Sequence, residues 1–402
     1  MAEQKSAPKL ARRAFLAGAA AATFTIVRPS AVRSSQANSK LEIGMIGCGG
    51  RGSWIARLFE RNGKYQFVAC ADYFQDRIDD FGEKNKVAPA RRHATLSGYK
   101  RLLESPLDAV VIETPPALHP EQAAAGVEAG KHVYVAKPIA VDVPGCLSIA
   151  ESGRRATERK RVFLVDFQTR ANELYKQAVS RVHNGEIGRI SCAEAHYPWS
   201  GGGSTTASTN PEERLRHWYC TLALSGDCIV EQDIHTLDVA TWFLNADPVR
   251  AVGTGGRPIR TAGNIYDHFG VIYWFPNDVH LTFSSVKMIP GCQDEIRCRV
   301  FGSKGMALTD YFGEVWLRGT EKPFEGGSVG NLYTSGAEAN IEEFHRCVAA
   351  GDCANPTVAP SVRSNLTSVL GRCAAYSGKV VTWDEMIRAN EKLEFDFSGL
   401  KA

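Results

Sequence analysis

The chain has 402 residues, of which 44% are hydrophobic and 23% charged, and its formal net charge is +3. These values are ordinary for a soluble globular protein, and the length suggests two domains that each bury their own core. Residues 1–37 hold six basic residues against one acidic residue, so the remaining chain carries a net charge of −2, and nothing in its charge indicates nucleic acid or an anionic membrane as a partner.

The first predicted element is an export signal over residues 1–37. Arg12 and Arg13 precede an uncharged stretch, residues 14–27, which is too short to span a bilayer as a helix. Ser35-Gln36-Ala37 offers a small-x-small cleavage site. This order is typical of a secretory signal peptide, and the paired arginines indicate the twin-arginine route. An amphipathic surface helix is the alternative, but the stretch has no polar face. We therefore expect a periplasmic protein, exported by the twin-arginine machinery and free of the membrane after signal cleavage.

A glycine-rich turn follows the first apolar run, which starts at Leu41. Its sequence is Gly47-Cys48-Gly49-Gly50-Arg51-Gly52, and a helical stretch over residues 53–61 comes next. In a dinucleotide-binding turn, the first glycine of Gly-x-Gly-x-x-Gly allows the bend, the second lets the backbone approach a pyrophosphate, and the third lets helix and strand pack closely. Phosphates would then lie on free N–H groups at the helix N-terminus.

The second predicted strand, residues 66–71, ends in Asp72, which lies 20 residues after Gly52. An acid at that distance can accept hydrogen bonds from ribose hydroxyls and would repel a 2′-phosphate. A glycine turn in a plain loop would not need such an acid. The sequence therefore predicts that residues 47–52 and Asp72 bind NAD, with NADP less favoured.

Strands and helices alternate as far as Asp166. After Asp72 we predict helix 75–86, strand 109–113, helix 119–130, strand 132–136, helix 143–159 and strand 162–166. This repetition predicts a doubly wound parallel sheet, a Rossmann domain over residues 38–166. Ligands of such sheets bind beyond the carboxyl ends of the strands, so Gly47, Asp72, Thr114 and Lys137 are expected to line one crevice.

Longer strands dominate from about Gln168. We predict helix 172–183 and strands 190–197, 265–275, 280–286 and 296–301. The alternation predicts an α+β domain over residues 167–360, with an open, mainly antiparallel sheet that is a candidate face for a homo-oligomer. Residues 200–210, rich in Gly, Ser and Thr, are either a mobile loop near the site or a disordered insertion. Residues 361–402 are expected to form a helix and tail that pack back on the first domain.

The eleven cysteines are scattered, without a C-x-x-C pair. We predict free thiols, mostly buried, rather than a disulfide framework. No metal-ligand spacing is present, so no metal site is expected.

Candidate acid–base residues lie in residues 226–238. On a continuous helix, Glu231, His235 and Asp238 fall at i, i+4 and i+7 and share one face. An imidazole can take a hydroxyl proton while hydride leaves the carbon, and a nearby carboxylate would fix its tautomer. A capped helix with ordinary surface charges gives the same pattern. A metal site is a further interpretation, but no second ligand cluster supports it.

Together these motifs resemble the Gfo/Idh/MocA oxidoreductase family over nearly all of residues 41–387. Besides residues 47–52 and 226–238, the markers are Thr114-Pro115 with His119, Lys137-Pro138, Gln168-x-Arg170 and Gly185-Glu186-Ile187-Gly188. The resemblance implies an NAD(P)-binding Rossmann domain, an open-faced α/β domain, and hydride exchange with a sugar or cyclitol hydroxyl. It also implies that Lys137 donates to the reacting oxygen beside the nicotinamide and that His235 is the acid/base. Thr114, Pro115 and His119 would lie against the cofactor.

Two positions depart from the family pattern. The family usually has Glu before Lys-Pro, where this chain has Ala136, and usually has Asp where this chain has Glu231. Glu231 then either orients the histidine or binds substrate, and Asp238 competes as the orienting residue. The weaker candidates for sugar contacts are Arg170, Tyr197 and Trp218, although aromatic residues there are more often part of a core.

Export constrains the predicted function, because the periplasm has no general pool of NAD. The cofactor would be loaded in the cytosol and retained, as in exported family members such as glucose–fructose oxidoreductase. We predict a periplasmic oxidoreductase that transfers hydride between tightly held NAD and a hydroxyl of a sugar, glycoside or cyclitol. An NAD-dependent glycoside hydrolase that oxidises its sugar transiently is the first alternative, and a non-catalytic sugar-binding relative is the second.

Overall fold

The computed structural model describes residues 40–201 and 208–402. The predicted export signal and the centre of the Gly/Ser/Thr-rich segment lie outside the described residues. Residues 41–402 pack as one compact unit. Within the described ranges, no helix is both long and apolar enough to cross a membrane.

The first sheet is a six-stranded parallel sheet, which confirms the predicted Rossmann fold. Its strands are β1 (Leu41–Ile46), β2 (Tyr65–Asp72), β3 (Arg92–Ala94), β4 (Ala109–Ile112), β5 (His132–Ala136) and β6 (Phe163–Asp166). They are ordered β3-β2-β1-β4-β5-β6. The winding reverses between β1 and β4, and a ligand crevice opens at such a switch point.

Helices cover both faces of this sheet, so its strands are nearly continuous apolar runs; all four residues of β4, for example, are buried. The covering helices in this part of the chain are α1 (Gly50–Asn62), α2 (Gln75–Lys84), α3 (Gly98–Leu103), α4 (His119–Glu128) and α5 (Val143–Glu158). Neither α3 nor β3 is predicted from the sequence, because both are too short to show a period.

The second sheet has nine strands and is mainly antiparallel, as predicted. Its strands are β7 (Ile190–Trp199), β8 (Arg250–Gly256), β9 (His268–Trp274), β10 (His280–Lys287), β11 (Arg297–Gly302), β12 (Gly305–Asp310), β13 (Glu314–Arg318), β14 (Phe324–Ser328) and β15 (Val381–Thr382). They are ordered β14-β13-β12-β11-β7-β10-β9-β8-β15, and β7 and β10 pair in parallel.

The helices of the second half connect this sheet to the first. They are α6 (Gln168–Ala171), α7 (Glu173–His183), α8 (Pro211–Arg216), α9 (Leu222–Ser225), α10 (Cys228–Glu231), α11 (Ile234–Leu244), α12 (Leu332–Ala350), α13 (Val358–Ser377) and α14 (Trp383–Ala389). Helix α12, for which the sequence analysis predicts nothing, puts Ala337, Ile341 and Phe344 into the core beneath the first sheet. The core of the first domain is therefore completed by residues far along the chain.

Helix α13 fixes the segment that follows Lys137. The side-chain amide of Asn365 accepts from the Ile139 N–H at 3.1 Å and donates to the Ala140 carbonyl at 3.1 Å. Nη1 of Arg372 donates to the Val141 carbonyl at 2.6 Å. These three bonds hold a turn of the first domain whose neighbour is a predicted catalytic residue.

All eleven cysteines lie in the described residues, and all are free thiols, seven of them buried. Among the described residues, no group of three or more His, Cys, Asp and Glu is placed to hold a metal ion.

Candidate active site

The glycine turn has the geometry of a nucleotide cradle. Gly47 has φ +99°, and a Cβ on Gly52 would lie 1.9 Å from the carbonyl oxygen of Gly47. Neither position accepts a side chain. Helix α1 begins at Gly50 without a side-chain cap, which leaves its first N–H groups free for an anion. The cradle fits a pyrophosphate.

Gly52→Ala is expected to destabilise the protein by about 1–3 kcal/mol, because the added methyl group forces α1 away from the turn. Gly50→Ala is the matched control, since a Cβ at Gly50 meets nothing within 4 Å. We expect that variant to stay within about 0.5 kcal/mol of the parent. Urea denaturation of the two variants measures the difference, and equal losses would contradict the packing argument.

A first cavity opens in front of the cradle. Seven predicted cofactor residues line it: Gly47, Gly49, Gly50, Arg51, Asp72, Thr114 and Pro115. Asp72 ends β2, where its carboxylate accepts from the N–H groups of Cys48 at 2.7 Å and Phe74 at 3.0 Å. Burial raises the pKa of Asp72, and these N–H groups and Arg77 act in the opposite direction. The carboxylate is therefore fixed in position at the end of the cavity.

Apolar residues from distant parts of the chain pack together beside this cavity, and two of them, Phe74 and Leu215, line it. Phe74, Leu215, Leu224 and Phe395 form one buried cluster there. The C-terminal tail is tied to this cluster, because the Leu96 N–H donates to the carbonyl of Lys401 at 3.1 Å and the Lys401 N–H donates to the Tyr73 hydroxyl at 3.3 Å. Because Leu215 also lines the cavity, the second domain contributes to its wall.

A second cavity adjoins the first and is rich in aromatic residues. Its aromatic lining consists of Tyr197, Trp199, Trp218, Tyr219, Tyr311, Phe312 and Tyr333. Its polar lining includes Lys137, Glu231, Gln232 and His235. The two cavities share Arg51, Glu113, Thr114 and Trp218 as wall residues. The structure thus brings the predicted residues Lys137, His235, Glu231, Tyr197 and Trp218 together.

Lys137 lies where β5 ends, and its ammonium group is held by Glu231. Nζ donates to the backbone carbonyl of Glu231 at 2.7 Å and lies 3.4 Å from the carboxylate Oε1. Both side chains are mostly buried. Glu231 therefore acts on the lysine rather than on His235.

The predicted helical face shared by Glu231, His235 and Asp238 is wrong for Glu231. Helix α10 ends at Glu231 and α11 begins at Ile234, so Glu231 and His235 do not share a helical face. The break lies at Asp233, whose carboxylate forms an ion pair at 2.6 Å with the fully buried ammonium of Lys287. A long-range ion pair, which no local pattern reveals, therefore lies at the break, and we expect it to hold the backbone path here.

His235 projects into the second cavity from the first turn of α11. Its Nδ1 is buried and has no hydrogen-bond partner among the described residues. Burial lowers the pKa of His235 well below its ordinary value, and the positive charges of Lys137, Arg51 and Lys287 lower it further. The imidazole is neutral at pH 7 and can accept a proton.

Asp238 does not orient His235, which corrects that prediction. Its carboxylate accepts from Arg170 Nε at 2.9 Å and Nη2 at 2.9 Å, and from the Ser364 hydroxyl at 2.5 Å. The guanidinium of Arg170 also stacks on Trp242 at 4.9 Å. Neither Arg170 nor Asp238 lines the two cavities. The expected substrate contact of Arg170 is therefore replaced by an ion pair that joins α6, α11 and α13.

His119 connects the two motifs that the sequence analysis places at the cofactor. Its Nε2 lies 2.8 Å from the carbonyl of Thr114 and its Nδ1 lies 2.9 Å from the carbonyl of Pro138. Burial lowers the pKa of His119 to about 4, so the neutral ring donates to one of these carbonyls. Its polar atoms face the backbone of the two turns, and it holds them together.

Several lining residues escape the sequence analysis. Gln232, whose amide oxygen accepts from the Tyr219 hydroxyl, lies beside His235 in the cavity wall. Tyr311 follows β12, a strand that the sequence analysis does not predict. Glu113, in contrast, follows β4 directly and could have been found from the rule that ligands bind at strand ends.

Comparisons with known proteins agree with this architecture. A family model described as "Oxidoreductase family, NAD-binding Rossmann fold" matches residues 41–167, and the model of the GFO/IDH/MocA C-terminal domain matches residues 175–308. Inositol 2-dehydrogenase of Salmonella typhimurium is 26% identical over 272 residues, which are 66% of this chain and 73% of that protein.

Two solved structures share the fold. An oxidoreductase domain protein from Kribbella flavida has a TM-score of 0.72 at 17% identity and covers 86% of this chain and 99% of its own. Aldose-aldose oxidoreductase from Caulobacter crescentus has a TM-score of 0.65 at 19% identity, with 85% and 99% covered.

Proposed function

We propose a function from the premise that this chain belongs to the Gfo/Idh/MocA family of NAD(P)-dependent oxidoreductases. In this proposal, the protein exchanges hydride between NAD and a hydroxyl-bearing carbon of a sugar, glycoside or cyclitol. The observation that carries the proposal is the placement of Lys137 and His235 in one aromatic cavity beside the glycine cradle. A proton donor and a proton acceptor beside a nucleotide site are what alcohol oxidation requires.

The chain's residues divide the proton chemistry between them. Lys137, held by Glu231, is placed to donate a hydrogen bond to the oxygen of the reacting carbon. His235, neutral and with a free lone pair, is placed to remove the hydroxyl proton. Bound NAD supplies the hydride acceptor. The aromatic walls fit the apolar faces of a sugar ring and exclude water from the reaction.

The substrate class rests on the relatives and on the lining. The Salmonella relative is named for inositol and the Caulobacter structure for aldoses. Tyr197 and Trp218 line the cavity with polar groups around them, which suits a polyhydroxylated ring. Asp72 supports NAD over NADP, because its partly buried carboxylate at the end of β2 would repel a 2′-phosphate.

We further propose that the protein works in the periplasm with a retained cofactor. The arginine pair and uncharged stretch in residues 1–37 support export. The lining of the first cavity supports retention, since Leu215 and Trp218 of the second domain form part of its wall.

The test is to purify the full chain from a host with the twin-arginine pathway and to look for bound dinucleotide by mass spectrometry. The protein is then incubated with aldoses, inositols and nitrophenyl glycosides, with NAD or NADP added in parallel. We expect bound NAD, and a change in reduced-nicotinamide absorbance without aglycone release. Aglycone release without net redox change would identify the glycoside hydrolase, and no affinity for either dinucleotide would overturn the proposal.

A further inference from the structure

Three neighbouring strands of the first sheet end in one row of residues. Ile112 pairs with Val135, so Glu113 stands opposite Ala136, and Ala136 in turn pairs with Asp166. Residues side by side in a parallel sheet point to the same face. The row therefore presents a carboxylate, a methyl group and a second carboxylate at the edge where the cavities open.

Arg51 bridges the two carboxylates of this row. Its Nη2 donates to Asp166 Oδ2 at 2.9 Å, and its Nε lies 3.5 Å from Glu113 Oε2. The guanidinium comes from the first turn of α1 and packs on Trp54 at 4.2 Å.

The two carboxylates differ in what they bind. Asp166 is occupied on both oxygens, by Arg51 and by the Asn340 amide at 2.8 Å. The side chain of Glu113 has no exposure, and neither of its oxygens has a hydrogen-bond partner among the described residues. A buried acceptor without a donor costs free energy. Because Glu113 forms part of the wall between the cavities, a ligand that spans both can supply that donor.

We propose that Glu113 is a cofactor-binding residue whose carboxylate accepts a hydrogen bond from a ribose hydroxyl in the nicotinamide half of the dinucleotide. This rests on the proposed function. Asp72 lies at the far end of the first cavity and serves the adenosine half. Glu113 also places after β4 the carboxyl group that Ala136 leaves out at the end of β5, next to Lys137.

Equilibrium dialysis of the full chain with labelled NAD⁺ and labelled ADP tests this assignment. ADP contains the adenosine half only, so it reports on the contacts that Glu113 does not make. Glu113→Ala is expected to weaken NAD⁺ binding by about 10- to 100-fold, the effect of losing a charge-assisted hydrogen bond, and to leave ADP binding within about threefold. Glu113→Gln keeps the shape without the charge and is expected to weaken NAD⁺ binding in the same direction.

Two further variants separate this role from a structural one. Asp166→Asn alters the other carboxylate that Arg51 binds. This variant is expected to lower the melting temperature, and to change the affinities for NAD⁺ and ADP by the same factor. Glu113→Ala combined with Ala136→Glu returns a carboxylate to the row and is expected to restore NAD⁺ affinity to within about fivefold of the parent.

The outcomes also separate this inference from the proposed function. Equal losses of NAD⁺ and ADP affinity in Glu113→Ala, or parental affinity for both, would overturn the assignment of Glu113 while the parent still binds NAD⁺. A parent chain that binds neither nucleotide would overturn the proposed function and this inference with it.

Discussion

His235→Ala is expected to lower kcat for sugar or cyclitol oxidation by roughly 10²- to 10⁴-fold, the usual contribution of a positioned general base. The physical reason is that His235 places a neutral, buried imidazole in the aromatic cavity beside Lys137. Its position in the second domain means that the glycine cradle is unchanged, so the affinity for NAD is expected to stay within about threefold of the parent. Steady-state kinetics and dinucleotide dialysis measure the two quantities.

His183→Ala is the matched control for loss of an imidazole. The His183 ring bonds to the carbonyl of Trp242 at 2.9 Å and lines neither cavity. We expect its kcat within about twofold of the parent. A His235→Ala enzyme that keeps both bound cofactor and full turnover would show that another group removes the proton, and Gln232 would be the next residue to test.

The first domain could be predicted in outline because its signals are local. The turn from Gly47 to Gly52 needs glycines for steric reasons that the sequence shows directly, and a Cβ at Gly52 would indeed meet a carbonyl oxygen. Its strands are short apolar runs separated by helices, so the parallel sheet follows from their alternation. Helix α12 is the exception, since it completes this core from residues 332–350.

The arrangement of the acid–base residues could not be predicted in the same way. The spacing of Glu231, His235 and Asp238 fits one helical face, but each side chain has a different partner from a distant element. Glu231 holds Lys137, which follows β5, and Asp238 holds Arg170 of α6. The sequence therefore identifies which residues carry acid–base chemistry. It does not show which residues they pair with, because those pairs are tertiary contacts that helical spacing cannot predict.

The same limit explains Ala136. Ala136 stands where the family usually has a glutamate, directly before Lys137. In the sequence alone, this substitution indicates only that a carboxylate is missing at that position. The register of β4 and β5 ends with Ile112 opposite Val135, so the next residue, Glu113, falls opposite that position. A carboxylate is therefore present at the same edge of the sheet, although it comes from a different strand.

Lys287→Met is expected to destabilise the protein by about 3–5 kcal/mol, the cost of leaving a buried charge without its partner. Lys287 and Asp233 are both fully buried, with 2.6 Å between Nζ and Oδ1. Nζ also donates to the carbonyl of Tyr197 at 2.8 Å and lies 3.5 Å from the centre of the Tyr197 ring. The variant would leave Asp233 in an apolar environment two residues before His235.

The pH dependence of this loss has a defined sign. Burial raises the pKa of Asp233 to about 6 even with Lys287 present, and removing the cation raises it further. A carboxyl whose pKa is higher in the folded than in the unfolded protein is favoured below its unfolded value near 4, and that advantage is lost as the pH rises through the folded value. The variant is therefore expected to lose less stability at pH 5 than at pH 8.

Urea denaturation of three variants at both pH values tests this account. Lys84→Met is the control, because Lys84 and Asp80 form an exposed pair, and it is expected to change stability by less than about 1 kcal/mol. Lys287→Met combined with Asp233→Asn removes both charges and is expected to recover most of the loss at pH 8.

Since Asp233 lies where the chain breaks between α10 and α11, the single variant should also lower kcat by displacing His235. A Lys287→Met protein as stable as the parent at pH 8 would mean that Asp233 is ionised and solvated, and that the break before His235 is set by something other than this ion pair.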